Sequence, residues 1–114
     1  MRNTMVNGEE TEVTHEEFED ILKTNEIVVV NFFAEWHMPC IMLAPVIEDL
    51  AEELKHIKFV KINIDDNEEL KQKHNVSTMP CIIIIKSGQE IMRITGSHAC
   101  DVLEEKIRIC VGWK

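Results

Sequence analysis

The chain has 114 residues, enough for one domain built on a single core of moderate size. Apolar residues make up 45% of it, which is ordinary for a globular protein and argues against disorder. The formal net charge of −9 disfavours a phosphate backbone or an anionic membrane as partner, because binding either needs a basic face.

Uninterrupted apolar runs such as Cys81 to Ile85 are too short to span a bilayer. The first ten residues carry no hydrophobic leader, so a cytoplasmic protein is expected. Four cysteines in such a chain suggest thiol redox chemistry or metal binding rather than a structural disulfide framework. Residues 1–8 read as a flexible N-terminal tail and 9–114 as a single domain.

Thr11–Val13 reads as a short first strand. Thr14-His-Glu-Glu17 is a capping box that opens an amphipathic helix, turning Phe18, Ile21 and Leu22 inward and ending near Thr24 or Asn25. Ile27–Ala34 is nearly continuously apolar and β-branched, the pattern of a central strand buried on both faces. Pro39–Lys55 is helical, with Leu43, Val46, Ile47, Leu50 and Leu54 as its core stripe and Pro45 as an internal kink.

Ile57–Ile64 is a strand, with Phe59, Lys61 and Asn63 on one face and Val60, Ile62 and Ile64 on the other. Asp65 or Asp66 is expected to cap a short helix running to Lys73. Cys81–Ile85 and Glu90–Thr95 form a hairpin about Ser87-Gly88. Ser97 is placed to cap a last helix, His98–Val111. On it Cys100, Leu103, Ile107 and Cys110 share one face and read as packing residues, while Trp113 covers an edge. The order β-α-β-α-β-α-β-β-α predicts an α/β domain whose parallel strands end in an antiparallel hairpin.

Between the second strand and the second helix lies Trp36-His37-Met38-Pro39-Cys40. From about Val13 to Val111 the chain resembles the thioredoxin family. The matching pieces are Asn31-Phe-Phe-Ala-Glu-Trp36, Pro39-Cys40, Leu43-Ala-Pro45, Val60-Lys-Ile-Asn-Ile-Asp65, Val76-Ser-Thr-Met-Pro80, Ile82–Lys86 with Ser87-Gly88, and Thr95-Gly96.

The resemblance implies the thioredoxin fold, a central mixed β-sheet flanked by helices on both faces. It implies that Cys40 is the second, resolving cysteine of a Cys-x-x-Cys site and that Pro80 is a cis-proline facing it. It also sets Lys61 near a buried acid and Gly96 beside the substrate groove. Three positions depart from the pattern. His37 replaces the nucleophilic cysteine, Asn31 replaces the buried aspartate, and Cys81 replaces the threonine after the cis-proline.

Two-electron exchange needs two sulfurs, one to attack and one to resolve. With His37 in the first place no 37–40 disulfide can close, and Asn31 cannot take a proton as a carboxylate can. The expectation is therefore thiol–disulfide exchange in redox homeostasis, acting at most as a monothiol through Cys40 with His37 as its partner. The resemblance sets Asn31 and Lys61 at the positions that handle the proton or support the site from behind.

A helix N-terminus disfavours an imidazolium at 37 and favours thiolate at 40. A neutral ring could then hydrogen-bond or deprotonate the thiol. Trp36, Met38, Pro39, Met79, Pro80 and Gly96 would line the groove. The alternative is a non-catalytic module that binds an extended peptide there by strand addition. Met42 and Met92 fit core or helix positions.

Partners are therefore protein thiols or disulfides, or a peptide segment, with no cofactor, and the chain is expected to be a monomer. His37, Cys40 and Cys81 carry donors that suit zinc, but the paired spacing of a metal site is missing, and the reading assigns no metal. Cys81 either faces the core as a small hydrophobe or reaches Cys40 as an alternative disulfide. A replacement at residue 37 of an ordinary Cys-x-x-Cys site also stays open.

Overall fold

The computed structural model describes residues 10–96 and 99–110, without the side chain of Cys100. The expected tail at 1–8, the cap at Ser97, the helix ends at His98 and Val111, Trp113 and the packing of Cys100 all lie outside the described residues.

Among the described residues, nine elements follow in the expected order: β1 (Glu10–Glu12), α1 (His15–Thr24), β2 (Ile27–Phe33), α2 (Met38–Glu53), β3 (Lys58–Asn63), α3 (Glu68–Lys73), β4 (Cys81–Lys86), β5 (Gln89–Thr95) and α4 (Ala99–Cys110). The sheet order is β1-β3-β2-β4-β5. β3 runs parallel to both β1 and β2, while β4 pairs antiparallel with β2 and β5. Crossover helices force the parallel half, and the two-residue turn at Ser87-Gly88 forces the antiparallel one.

The two faces of the sheet bury separate cores. One holds Phe18 and Ile21 of α1 and Leu70 of α3 against Val28, Val30, Val60, Ile62 and Ile83. The other holds Leu43, Ile47 and Leu50 of α2 and Leu103 and Ile107 of α4 against Val29, Phe59, Ile82 and Ile84. Strand alternation explains the division, since successive residues of β2, β3 and β4 point to opposite faces. Helices therefore cover both faces, as expected.

Most boundaries differ from the sequence reading by one or two residues, and two of the differences bear on the site. β1 starts one residue earlier, at Glu10, and ends at Glu12. Val13 leaves the strand but keeps a bond from its N–H to the Lys61 carbonyl (3.1 Å). Asn67, not Asp65 or Asp66, is the N-cap of α3. Asp65 is engaged elsewhere, accepting a hydrogen bond from the Trp36 indole (2.9 Å). Among the described residues no helix is long and apolar enough to cross a membrane.

Candidate active site

α2 begins at the C-terminal end of β2, through Ala34-Glu35-Trp36-His37. His37 is the N-cap in an extended conformation, and Pro39 occupies the first turn, where its missing N–H costs nothing. The helix continues through Pro45, whose ring leaves the Ile41 carbonyl without its usual intrahelical donor.

This geometry turns His37 back over Cys40, with Nδ1 at 3.3 Å from Sγ. Trp36 packs edge-on against the imidazole at 5.6 Å between ring centroids. The ring is therefore held from two sides, by the indole and by the sulfur.

Cys40 is only 4% exposed. Burial pushes its thiol up from the ordinary cysteine range, opposed in part by a backbone hydrogen bond at Ala34. This corrects the expectation that the helix N-terminus favours thiolate here, because burial penalises the charged form. Cys81 lies in the first core, its thiol pushed up to about 11 by burial, and neither it nor Cys40 is in a disulfide. Among the described residues no group of three histidine, cysteine or acidic side chains is arranged to hold a metal ion. The zinc set of His37, Cys40 and Cys81 thus has no geometric support.

Asn31 lies in β2, buried and paired in register with Lys61 of β3 and Ile82 of β4. Its Nδ2 donates to Oε2 of Glu10 across 3.4 Å, while its Oδ1 is buried with no hydrogen-bond partner among the described residues. Lys61 sets its ammonium 5.6 Å over the Phe33 ring. Glu10, Asn31, Glu35, Cys40 and Lys61 all line one cavity of about 230 Å3. Burial raises the Glu10 carboxyl from 4.5 to about 7, although Lys61 and the Asn31 amide pull the other way. The sequence reading missed Glu10 because it placed the residue before β1. Its signal was weak, an acid two places ahead of Glu12 in a strand whose partner was unknown.

Met79-Pro80 is a cis peptide bond. The Pro80 carbonyl accepts a hydrogen bond from the Gly96 N–H (3.1 Å), and Gly96 takes a φ of 91° that a side chain would resist. These two groove residues are thus brought together. Met79 is half-buried and packs against the first core rather than standing free. Around the start of α2 the apolar surface is open: Trp36, Met38, Ile41 and Met42 are each at least half exposed. Met42 is helical, as expected, but faces solvent.

A mixed sheet of this order, with a Trp-x-x-Pro-Cys turn leading into a helix and a cis-proline before the next strand, defines a protein of the thioredoxin class. The family model described as thioredoxin matches residues 9–109. A thioredoxin of Chlamydia pneumoniae is 42% identical over 84 residues, covering 74% of this chain and 81% of that one. The crystal structure of a thioredoxin from Trypanosoma brucei brucei superposes with a TM-score of 0.85 at 27% identity, over 98% of this chain and 99% of that one. A chain from a crystal structure of a ferredoxin:thioredoxin reductase and thioredoxin f2 complex superposes with a TM-score of 0.83 at 26% identity, over 92% and 98%. The chain belongs to the thioredoxin family, and thiol–disulfide redox function follows from that membership.

Proposed function

We propose that this chain carries out thiol–disulfide exchange as a monothiol, through Cys40, in cytoplasmic redox homeostasis. The observation that carries the reading is the 3.3 Å approach of His37 Nδ1 to Cys40 Sγ. With Nδ1 unprotonated, the imidazole accepts the thiol hydrogen and fixes the direction of the sulfur.

In the exchange the Cys40 thiolate attacks one sulfur of a protein disulfide. A Cys40–S–S–R bond forms, the substrate S–S bond breaks, and the leaving thiolate takes up a proton. A low-molecular-weight thiolate then attacks the R sulfur of the mixed disulfide, forming a bond from R to the small thiol as the Cys40–S bond breaks and Cys40 leaves as thiolate, and a second small thiolate displaces R to give its free thiol and the oxidised small disulfide. The chain ends as it began, and the small thiol supplies the electrons. Burial of Sγ makes the thiolate scarce at neutral pH, so the exchange is slow and accelerates as pH rises.

The open apolar surface formed by Trp36, Met38, Ile41 and Met42 favours a second reading, in which the same face binds an extended protein segment without chemistry. Reduction of a protein disulfide under excess small thiol separates the two. The monothiol reading expects turnover in the parent chain that disappears in Cys40→Ser. No turnover in the parent, but activity in His37→Cys, would shift the assignment to the binding module.

A further inference from the structure

The cavity beneath Cys40 joins its thiol to two groups that the proposed exchange leaves unused, Glu10 and Asn31. Glu10 reaches it from β1, at the edge of the sheet, and Cys40 from the first turn of α2. Asn31 lies in the same lining, 3% exposed, with Nδ2 committed to Glu10 and Oδ1 without a donor. A buried amide oxygen of this kind asks for a hydrogen-bond donor, and at about 30 Å3 per molecule a space of this size admits several waters.

The geometry points to Glu10 as the proton-holding carboxyl of the Cys40 site, connected to the thiol through water held at Asn31 Oδ1. The pair shares one proton in two arrangements, thiol with carboxylate and thiolate with carboxylic acid. Passing from the first to the second moves the proton from Sγ to the Glu10 carboxylate, with no other bond broken and no electron transferred. Glu10 is therefore a positioning residue for the thiolate, acting through water rather than by contact.

The charges around it are mixed. Lys61 of β3 favours its carboxylate, Glu48 of α2 opposes it, and desolvation by the cavity wall exceeds both, so the group titrates near neutrality instead of at the usual acidic value. Glu35 also lines the cavity, and His37 Nδ1 lies 3.3 Å from the sulfur. The inference rests on Cys40 being the reactive group, but it does not require disulfide turnover.

Coupled titration gives it a signature. Below the first ionisation of the pair, the thiolate fraction rises tenfold per pH unit. Once one proton has left, the ratio of the two arrangements no longer depends on pH, and the fraction stays level until the second proton leaves.

The test is site-resolved alkylation of Cys40 by iodoacetamide from pH 5 to 10, followed by mass spectrometry. The parent chain is expected to show a tenfold rise per unit that flattens near pH 7 and then resumes. Glu10→Gln is expected to rise without the flat segment, and Glu10→Gln with Asn31→Asp to regain it. A carboxyl-carbon NMR titration of Glu10 in the unmodified chain needs no variant and is expected to centre near 7.

A Glu10 midpoint at the ordinary 4.5, or a flat segment that survives Glu10→Gln and disappears in His37→Ala, would overturn the proposal. A parent that shows the flat segment but no disulfide turnover removes the monothiol function and leaves the Glu10 assignment standing.

Discussion

A carboxyl raised from 4.5 to about 7 is a statement about stability as well as chemistry. The folded state holds the proton more tightly than the unfolded chain. The contribution of Glu10 is therefore complete below pH 4.5, falls as pH rises toward 7, and is lost above that. At roughly 1.4 kcal/mol per pKa unit, the loss has an upper bound of about 3 kcal/mol. Glu10→Gln keeps an oxygen for the Asn31 amide and cannot ionise. It is expected to match the parent in urea denaturation at pH 4 and to exceed it at pH 8 by up to about 3 kcal/mol. Equal stabilities at pH 8 would show that the carboxylate is not desolvated. Much of the site was legible residue by residue: the Trp36–Cys40 turn, Lys61 and the Met79-Pro80 bond all announce themselves in sequence. Glu10 did not. Its burial depends on how β1 registers against β3, where Glu10 pairs with Phe59 and Glu12 with Lys61, and no local pattern encodes that. The state of the Cys40 thiol was misread for a related reason, since the helix terminus is local while desolvation is set by the whole cleft.

Single interactions also decide how elements begin and how they are tied. α1 starts at a complete capping box, in which the Glu17 N–H donates to Thr14 Oγ1 at 3.3 Å and the Thr14 N–H donates to Glu17 Oε1 at 2.8 Å. Thr14→Ala is expected to cost about 1 kcal/mol, read from the shift of the urea midpoint at unchanged slope. A second device joins β5 to the end of α3. Arg93 donates to the carbonyls of His74 (2.7 Å, from Nη2) and Asn75 (3.1 Å, from Nη1) while Nε and Nη2 hold the Glu90 carboxylate. Lysine cannot reproduce that planar fork. Arg93→Lys should therefore fall close to Arg93→Ala, each about 2 kcal/mol below the parent. Full stability in Arg93→Lys would reduce the clamp to a simple charge. The capping box was readable because its signal is confined to four residues. The clamp was not, because it links positions eighteen and nineteen apart through a turn with Asn75 at a φ of 54°. The same contrast explains the boundaries. Strands and long helices follow from period alone, whereas the cap of α3 moved to Asn67 once Asp65 was drawn to Trp36.

Across the whole molecule, the net charge of −9 is spread over a body measuring 34 × 32 × 25 Å. At 0.02 M salt the screening length is about 20 Å, so most of these charges feel one another; at 0.3 M it is about 6 Å and only neighbours do. Self-repulsion of this kind destabilises the compact state, and screening relieves it. Raising sodium chloride between those values at pH 8 is expected to increase stability by on the order of 1 kcal/mol, or about 5 °C in Tm. This effect could be confused with that of Glu10, since protonating surface carboxylates also relieves repulsion as pH falls. Salt distinguishes the two. Repulsion between exposed groups is screened, whereas the cost of ionising Glu10 comes from desolvation in the cavity and is not. In 0.3 M salt the decline in stability between pH 4.5 and 7 should therefore persist in the parent and be absent in Glu10→Gln. If salt abolished the decline in the parent, the pH dependence would belong to the surface as a whole, and the buried carboxyl would contribute little to it.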